Sequence, residues 1–584
     1  MKNDYIVRKT FYSFVMISIL SSLTATAGML IDNIIVGRTL GPEALGAMGI
    51  VGPVSLVFSA IGNICSGGGG ARAAQALGRG ERDKFCLIFT VNMIFVLTVG
   101  SVLSVLGTIY ATNIAALLGA KDTLLEPAAD YLRGFFPGAI PTILLSATMC
   151  FVRIDGSPKL PLVCICVMSF ANVVLDLMAV YVFHLGMLGM ALATSISYVL
   201  AVATAMTHFL KKSSTLRFVR PKGFLSDLTQ TVYTGFPTAI SRISDTGKVM
   251  LLNHLLVTYV SVYAVTALNV RTTVSNFLGA LVLGIGQAAT PTIGMFFGEE
   301  DRTALKDTLK TALKLGLGIN TALGAVLLVF PSFFARLLGV QDSGIMQMCV
   351  MAIRFFGIGM PLSMINSALL NYYQSTKKVG MATMICVLQS LVYTVVFSLI
   401  LIHPMGANGV WMAFLLGEIL TLVTVGVVLV RKHGKAEISL DSVLMLEPDF
   451  GGDPKDRLEL SIGNSMEEVM TISSGIYKFG ANRSISKETL NVLSLCIEEM
   501  AGNVVRHAFK PGEKRWVDLT IVDKPERVIV RIRDNGSAFD PLAYLSCGDG
   551  KGYGIMMIHK LAENFEYRRS MGLNNLIIQL RKTE

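Results

Sequence analysis

The chain has 584 residues, of which 52% are hydrophobic and only 15% are charged. This composition is far more apolar than that of a soluble globular protein, so it excludes a water-soluble enzyme as the main part of the chain. The formal net charge is +10. The basic residues collect in short loops between apolar runs, which follows the positive-inside rule of membrane proteins and argues against a nucleic acid partner.

Long apolar runs predict membrane-spanning helices, and therefore a lipid bilayer around them. Residues 86–111 contain no Asp, Glu, Lys or Arg, and a helix of roughly 20 residues is long enough to cross a bilayer. Similar runs recur through the first 435 residues, and together they predict about twelve spans. The first run continues into Asp32 without a small-residue cleavage site, so we interpret it as a retained span and not as a signal peptide.

Basic residues predict the orientation of these spans. Lys and Arg cluster after every second span, whereas residues 184–187 and 403–406, in loops between, contain neither. Because cytoplasmic loops are enriched in Lys and Arg, we expect both termini to be cytoplasmic and the protein to lie in a bacterial inner membrane.

The two halves of the apolar region repeat each other. Gly78 in the first half matches Gly298 in the second, and Pro141 matches Pro361 at the same sequence offset. Six spans per repeat is an even number, so both repeats have the same orientation and are related by an axis along the membrane normal. We expect two six-helix lobes, residues 1–220 and 221–435. The substrate path would lie between them and open alternately to each side of the membrane.

Four ordered motifs in this region resemble those of the multidrug and toxic compound extrusion (MATE) family. They are residues 32–38 (DNIIVGR), 41–47 (GPEALGA), 153–159 (RIDGSPK) and 172–176 (NVVLD). The resemblance covers roughly residues 10–432. It implies an all-α polytopic membrane protein: a V-shaped antiporter with twelve transmembrane helices that expels organic cations in exchange for H⁺ or Na⁺.

Two acidic residues lie within predicted spans, Asp32 near the end of the first and Asp176 inside the fifth. An unpaired carboxylate there costs about 2.5–3.5 kcal/mol on insertion scales, so each acid needs a partner or a function. The MATE resemblance implies that Asp32, Asp176 and Asn172 form the cation-coupling site of the N-terminal lobe. The alternative is that both acids only form hydrogen bonds across helices. The matching positions of the second repeat hold Leu252 and Val396, so coupling would be asymmetric.

The predicted seventh span carries three charged residues. Arg242, Asp245 and Lys248 recur at every third position and therefore lie near one face of a helix. They form either an internal ion network that braces the C-terminal lobe or part of the substrate cavity. In the second case their net positive charge disfavours organic cations and allows anionic or zwitterionic substrates. It also keeps open a flippase of the same superfamily that moves lipid-linked precursors.

The apolar runs end near Leu440, and residues 436–455 have the Gly and Pro content of a linker. Residues 456–584 show a mixed pattern. Residues 467–479 and 487–509 have helical periodicity, whereas residues 516–522 and 527–533 alternate around a turn. We expect a separate α+β domain in which helices cover an antiparallel sheet.

Several weak signals in this tail are typical of nucleotide binding. Glu499 and Asn503 are four residues apart on a predicted helix and project from one face. Asp534 and Gly536 follow a predicted strand. A glycine cluster then precedes another predicted helix, where glycines let backbone N–H groups approach phosphates. It consists of Gly550, Gly552 and Gly554.

Together these motifs resemble the GHKL-type ATP-binding fold of gyrases, heat-shock chaperones and histidine kinases, in the compact form of the anti-sigma-factor serine kinases. The resemblance implies that ATP and Mg²⁺ bind, with Asn503 as a metal ligand and Asp534 as the acceptor of the adenine amino group. Glu499 would be the general base, and Gly536, Gly550, Gly552 and Gly554 would shape the pocket and its lid. In a departure from the family pattern, Asn574 and Asn575 replace the expected Thr. The absence of a phospho-acceptor His domain before the fold disfavours a histidine kinase.

The sequence therefore predicts a secondary antiporter for drugs or other small molecules whose tail binds ATP to regulate it or to phosphorylate a partner. The alternative is a membrane-anchored serine kinase with the transporter half as its sensor and a signalling protein of the STAS type, or another class, as its partner. An ATP-driven pump is disfavoured because no Gly-Lys-Ser/Thr phosphate loop is present.

Overall fold

A computed structural model describes residues 5–120, 124–211, 214–433, 439–447, 450–451, 454–481, 483, 485–509, 515–546, 553–570 and 572–582. The chain divides into two compact units. The membrane unit comprises Phe14–Glu299 and Thr308–Val443, and the tail unit comprises Met1–Ser13, Glu300–Asp307 and Leu444–Glu584. Both predicted lobes thus belong to one unit.

The region of the predicted spans is entirely helical. Its helices are α1 (Tyr5–Thr39), α2 (Gly41–Asn63), α3 (Gly70–Gly78), α4 (Arg82–Ile109), α5 (Ala111–Leu117), α6 (Leu125–Phe135), α7 (Ala139–Ile154), α8 (Leu160–Tyr181), α9 (Gly186–Met206), α10 (Phe224–Tyr259), α11 (Val262–Gly298), α12 (Arg302–Val329), α13 (Pro331–Leu337), α14 (Ser343–Ser375), α15 (Val379–Val387), α16 (Tyr393–Met405) and α17 (Ala407–His433). Short π-helical turns, Ile64–Gly69 and Leu388–Val392, join α2 to α3 and α15 to α16.

Within the described residues, eleven helical stretches are long and apolar enough to cross a membrane. α10 is not among them, although its 36 residues exceed the length that a bilayer requires. It carries Arg242, Asp245 and Lys248 in its middle. The predicted polytopic helical fold is confirmed, and α10 is the span that hydropathy alone would miss.

Glycines allow close approaches at matching positions of the two halves. A Cβ atom at Gly78 would overlap the carbonyl oxygen of Met295, and one at Gly298 would overlap that of Gln75. α3 and α11 therefore approach each other through a reciprocal pair of glycines. Gly186 and Gly406, which precede α9 and α17, both have positive φ angles, 57° and 56°.

The C-terminal part of the tail unit is the predicted α+β domain. Its strands are β1 (Arg457–Gly463), β2 (Trp516–Asp523), β3 (Arg527–Asp534), β4 (Asn564–Ser570) and β5 (Leu573–Arg581), and its helices are α19 (Met466–Ala481), α20 (Lys487–His507), α21 (Pro541–Ser546) and α22 (Tyr553–Leu561). The short helix α18 (Leu440–Leu444) precedes this domain in the chain. The strands pair antiparallel in the order β1-β2-β3-β5-β4. Alternate residues of the sheet, such as Leu519 and Val530, pack with apolar residues of α19, α20 and α22 in one core.

The other face of this sheet carries arginines that surround a buried acid of the same unit. Asp301, in the segment Glu300–Asp307, is only 5% exposed. Its carboxylate lies 3.2 Å from Arg533, 3.3 Å from Arg531 and 3.8 Å from Arg457. Burial raises the pKa of this carboxyl group, but the three guanidinium groups outweigh burial and hold the pKa at about 2. The carboxylate therefore contributes stability at neutral pH and loses it only as the pH falls from 3.8 towards 2.

We predict that Asp301→Ala destabilises the sheet by about 3 kcal/mol, because it removes the buried anion that three partly desolvated guanidinium groups share. Hydrogen exchange of the β3 amides in the full-length protein measures this loss. Glu526→Ala is the matched control, since Glu526 is an exposed acid next to β3. Equal exchange in the two variants would contradict a stabilising role for Asp301.

Candidate functional sites

The first candidate site lies between α1 and α8. Asn172 and Asp176 are one helical turn apart on α8. With its amide nitrogen turned towards α1, Asn172 donates to Asp32 Oδ1 at 2.7 Å and to Oδ2 at 3.2 Å. The carboxyl groups of Asp32 and Asp176 are close enough to interact directly. The structure thus brings together the three residues that the sequence predicted as one group.

This acid pair has no basic partner among the residues that the structure describes. Asp176 is 0% exposed, and neither of its carboxylate oxygens has a hydrogen-bond partner there. Tyr131 of α6 and Tyr198 of α9 lie near the acids and interact with them electrostatically. The site is therefore an enclosed pair of carboxyl groups, which favours a proton or another cation between them.

The second candidate site is a cavity of about 580 Å³ inside the membrane unit, a volume suited to a drug-sized molecule. Arg242, Asp245 and Lys248 all lie on its wall. Lys248 and Asp245 form an ion pair at 2.8 Å, so the charges contact one another and also face the cavity. The ion pair lies within α10 itself, and the three residues line the cavity, so both the ion-network and the substrate-cavity interpretation remain predictions.

Three further charged residues line this cavity: Arg153 on α7, Arg271 on α11 and Glu418 on α17. Sequence analysis missed Arg271 as a site residue, although it is a charged residue inside an apolar span. The rule that intramembrane charges are functional candidates, applied to every span, would have identified it.

The third candidate site is in the tail unit, at the side of α20 that faces α22. Asn503 Nδ2 donates to Glu499 Oε1 at 3.3 Å, as their spacing of four residues predicts. A Cβ atom at Gly554, at the start of α22, would overlap the Glu499 carboxylate. Gly554 therefore lets the start of α22 approach the two polar side chains of α20.

Asp534 at the end of β3 is 4% exposed. Its Oδ1 accepts from the Gly536 backbone at 2.7 Å and from Asn574 Nδ2 at 2.8 Å. Burial raises the pKa of this carboxyl group, and the hydrogen bonds and Arg569 oppose the rise only in part. Oδ2 accepts no hydrogen bond from a described residue and remains as an acceptor for a ligand.

The structure shows which contacts Asn574 makes in place of the Thr that the family pattern predicts. Its position on β5 is directly opposite Asp534. Besides bonding Asp534, its Oδ1 accepts from Tyr567 and Arg569, both at 2.7 Å. This network fixes the orientation of the Asp534 carboxylate, so Asn574 is a site residue whose role the sequence did not reveal.

Gly536 also approaches α20 closely, since a Cβ atom there would overlap the carbonyl oxygen of Ala508. The loop after β3 is thereby held against the end of α20. Gly550 and Gly552 lie outside the described residues.

These residues fit a nucleotide with its metal. Asp534 offers a buried acceptor of fixed orientation, and Gly554 keeps open the space beside Glu499 that a side chain would fill. The amide oxygen of Asn503 accepts no hydrogen bond from a described residue, and such oxygens are suitable Mg²⁺ ligands.

Models of two protein families match the chain. The MatE model matches residues 18–178 and 237–400, and the model of the histidine kinase-like ATPase domain matches residues 463–580.

Two relatives match the membrane part. The multidrug export protein MepA of Staphylococcus saprophyticus subsp. saprophyticus is 24% identical over 410 residues, 69% of this chain and 88% of that protein. The probable multidrug resistance protein YoeA of Bacillus subtilis is 24% identical over 330 residues, 54% of this chain and 70% of that protein.

Solved structures confirm the fold of this part. An outward-facing multidrug resistance MATE family transporter of the MOP superfamily has a TM-score of 0.69 at 20% identity, covering 76% of this chain and 97% of that one. A MOP superfamily transporter from Pyrococcus furiosus, whose binding pocket is described as having reverse polarity, has a TM-score of 0.68 at 21% identity, covering 75% and 97%.

We predict that Asn574→Ala destabilises the tail domain by about 2 kcal/mol, because it removes the hydrogen bonds that Asn574 forms with the buried groups of Asp534 and Tyr567. Hydrogen exchange of the β5 amides measures the effect. Gln579→Ala is the control, since it removes an exposed hydrogen bond to Arg527 from the same strand. An effect of Asn574→Ala no larger than that of the control would refute the importance of the network.

Proposed function

Because the chain belongs to the MatE family of membrane transporters and ends in a histidine kinase-like ATPase domain, we propose that it is a secondary antiporter regulated through nucleotide binding. It exports drugs or other small organic molecules in exchange for H⁺ or Na⁺. The observation that carries this proposal is the enclosed acid pair of Asp32 and Asp176, which has no basic partner among the described residues.

The acid pair gives the transport cycle its coupling step. Two adjacent carboxylates inside a membrane repel each other and cannot remain without a compensating positive charge. A proton or sodium ion supplies that charge, and Asn172 orients Asp32 through its amide. Binding and release of the ion then change the packing of α1 against α8, and this change favours one side of alternating access.

The cavity supplies the substrate site in this proposal. It is lined by residues of α2 and α7 from the first half of the chain and of α10, α11, α14 and α17 from the second. We infer that the two halves are repeats that rock about this cavity. The reciprocal contacts of Gly78 and Gly298 and the positive φ angles of both Gly186 and Gly406 support this inference.

The tail binds Mg²⁺-ATP in this proposal and regulates transport or phosphorylates a partner protein. The nucleotide supplies the phosphoryl group when a transfer takes place. Asp534 would accept a hydrogen bond from the adenine amino group, Asn503 would hold the metal ion, and Glu499 would accept a proton from the attacking hydroxyl group. A membrane-anchored serine kinase with a sensor in place of a transporter is the weaker proposal, because it leaves the acid pair without a function.

We predict that Asp32→Asn and Asp176→Asn each reduce gradient-driven export to the level of empty vesicles, because an amide of nearly equal volume carries no negative charge, takes up no proton and attracts Na⁺ less strongly than a carboxylate does. The measurement is substrate efflux from proteoliposomes under an imposed H⁺ or Na⁺ gradient. Asp130→Asn is the control, since Asp130 is 40% exposed and forms a surface ion pair with Arg133. Wild-type export rates in both acid variants would remove the pair from the mechanism.

We predict that Asp534→Asn weakens Mg²⁺-ATP binding to the full-length protein about 10- to 100-fold, because its amide NH₂ would face the adenine amino group, donor against donor. Glu499→Ala should leave ATP affinity unchanged and abolish phosphoryl transfer, because a general base acts on the transferred proton. Equilibrium dialysis and labelled-phosphate transfer measure the two effects.

The control for Glu499→Ala is Glu488→Ala, an exposed acid in the first turn of the same helix. If the Glu499→Ala variant transfers the phosphoryl group at the wild-type rate, Glu499 is excluded as the general base. A folded wild-type protein that binds no ATP would overturn the nucleotide site itself.

A further inference from the structure

The basic and acidic residues that line the cavity differ in number and in the partners that they contact. Among the described residues that line it, four are cations and two are acids. The cations are Arg153, Arg242, Lys248 and Arg271, and the acids are Asp245 and Glu418. This wall therefore has a net charge of two positive units with the acids ionised.

Neither acid is well placed to receive a transported cation. Asp245 forms an ion pair with Lys248. Glu418 accepts hydrogen bonds from two side-chain amides, from Asn366 at 2.7 Å and from Gln389 at 2.9 Å and 3.1 Å. A cationic substrate would therefore meet one carboxylate that is already neutralised by a lysine and another that already accepts three hydrogen bonds.

Arg271 differs from these two acids in the partners that it contacts. Its guanidinium carbon lies 3.6 Å from the centre of the Phe414 ring and 5.3 Å from that of Phe356. Its Nε is buried without a hydrogen-bond partner, and the described residues offer it no ion pair. Lys248 Nζ lies over the same Phe414 ring at 5.5 Å. The ring thus contacts two cations of the cavity wall.

Stacking fixes the plane of a guanidinium group and leaves its N–H edge available. Such an edge matches the two oxygens of a carboxylate or phosphate, and desolvation by the cavity strengthens the attraction. Arg153 adds further positive charge, since its guanidinium group donates to the backbone and side-chain oxygens of Gln287 and meets no acid among the described residues. The cavity therefore has both a positive field and a specific donor.

We propose that this cavity binds an organic anion and that Arg271 recognises the carboxylate or phosphate group of that anion. The inference deepens the proposed export function and rests on it, because it names the class of substrate that the same cavity would carry. Lys248 contributes further positive charge to the same cavity wall, and Phe414 holds Arg271 in position.

Three probes with one aromatic ring system test the proposal: 2-naphthoate, 2-naphthyl phosphate and 2-naphthylmethylammonium. Their binding to the full-length protein in neutral-lipid nanodiscs is measured by equilibrium dialysis, with empty nanodiscs as the blank. We expect at least one anion to bind ten-fold or more tightly than the ammonium probe, and the preferred anion identifies carboxylate or phosphate. Equal or tighter binding of the ammonium probe, or no binding of either anion, overturns the proposal.

Variants then assign the role of Arg271. Arg271→Gln should weaken anion binding about 10- to 100-fold, because a charge-assisted hydrogen-bond pair is lost. Arg271→Lys keeps the positive charge but loses the planar pair of N–H donors. Its anion affinity should therefore lie between those of Arg271→Gln and the wild type. Arg336→Gln is the control, since Arg336 is an exposed arginine outside the cavity. Unchanged anion affinity in Arg271→Gln overturns its role.

The wild-type comparison needs no variant, so misfolding of Arg271→Gln leaves the test decisive. Binding is measured without an ion gradient, which separates this inference from the proposed function. Anion binding without gradient-driven export would refute the antiporter and leave the anion site standing. Export of the ammonium probe without anion binding would support the antiporter and refute the anion site.

Discussion

The hydrocarbon interior of a bilayer contains no water, and this constraint determines where the membrane unit can hold charge. Each ionised side chain at that depth needs an ion pair, a polar cavity or a bound ion. Asp32 and Asp176 share one enclosed site, whereas Arg271 and Glu418 face the cavity. The acid pair and the cavity wall are therefore two places at which charge inside the membrane unit is suited to bind something that moves.

The two sites are distributed unequally between the halves of the chain. The positions of the second half that match Asp32 and Asp176 hold Leu252 and Val396, and Leu252 is fully buried in an apolar core. The acid pair thus has no counterpart there. Most charges of the cavity wall belong to α10, α11 and α17. In the proposed antiporter the two halves are therefore specialised, and ion binding at one site and substrate binding at the other would act on different helices.

Local patterns predicted much of this architecture, and contacts distant in sequence account for the rest. Apolar runs indicated the spans, and period-two alternation indicated β2 and β3. The spacing of Glu499 and Asn503 predicted their contact, because a helix fixes that geometry within four residues. Hydropathy alone would omit α10, whose charges face a cavity that no local pattern reveals. Asp301 meets Arg533 across 232 residues, and the partnership of Asn574 with Asp534 depends on the register of β3 and β5.

The polarity of the cavity has an energetic consequence for the proposed exchange. Moving one charge across a potential of 100 mV changes the free energy by about 2.3 kcal/mol. When an incoming proton is exchanged for an outgoing monovalent cation, the two charges cancel, and only the chemical proton gradient drives export. When the outgoing substrate is a monovalent anion, both movements carry positive charge inwards, and a potential that is negative inside contributes about 4.6 kcal/mol at 100 mV. A positively charged cavity wall together with a separate acid site therefore suits an exporter in which the membrane potential drives both the inward movement of the proton and the outward movement of the anion.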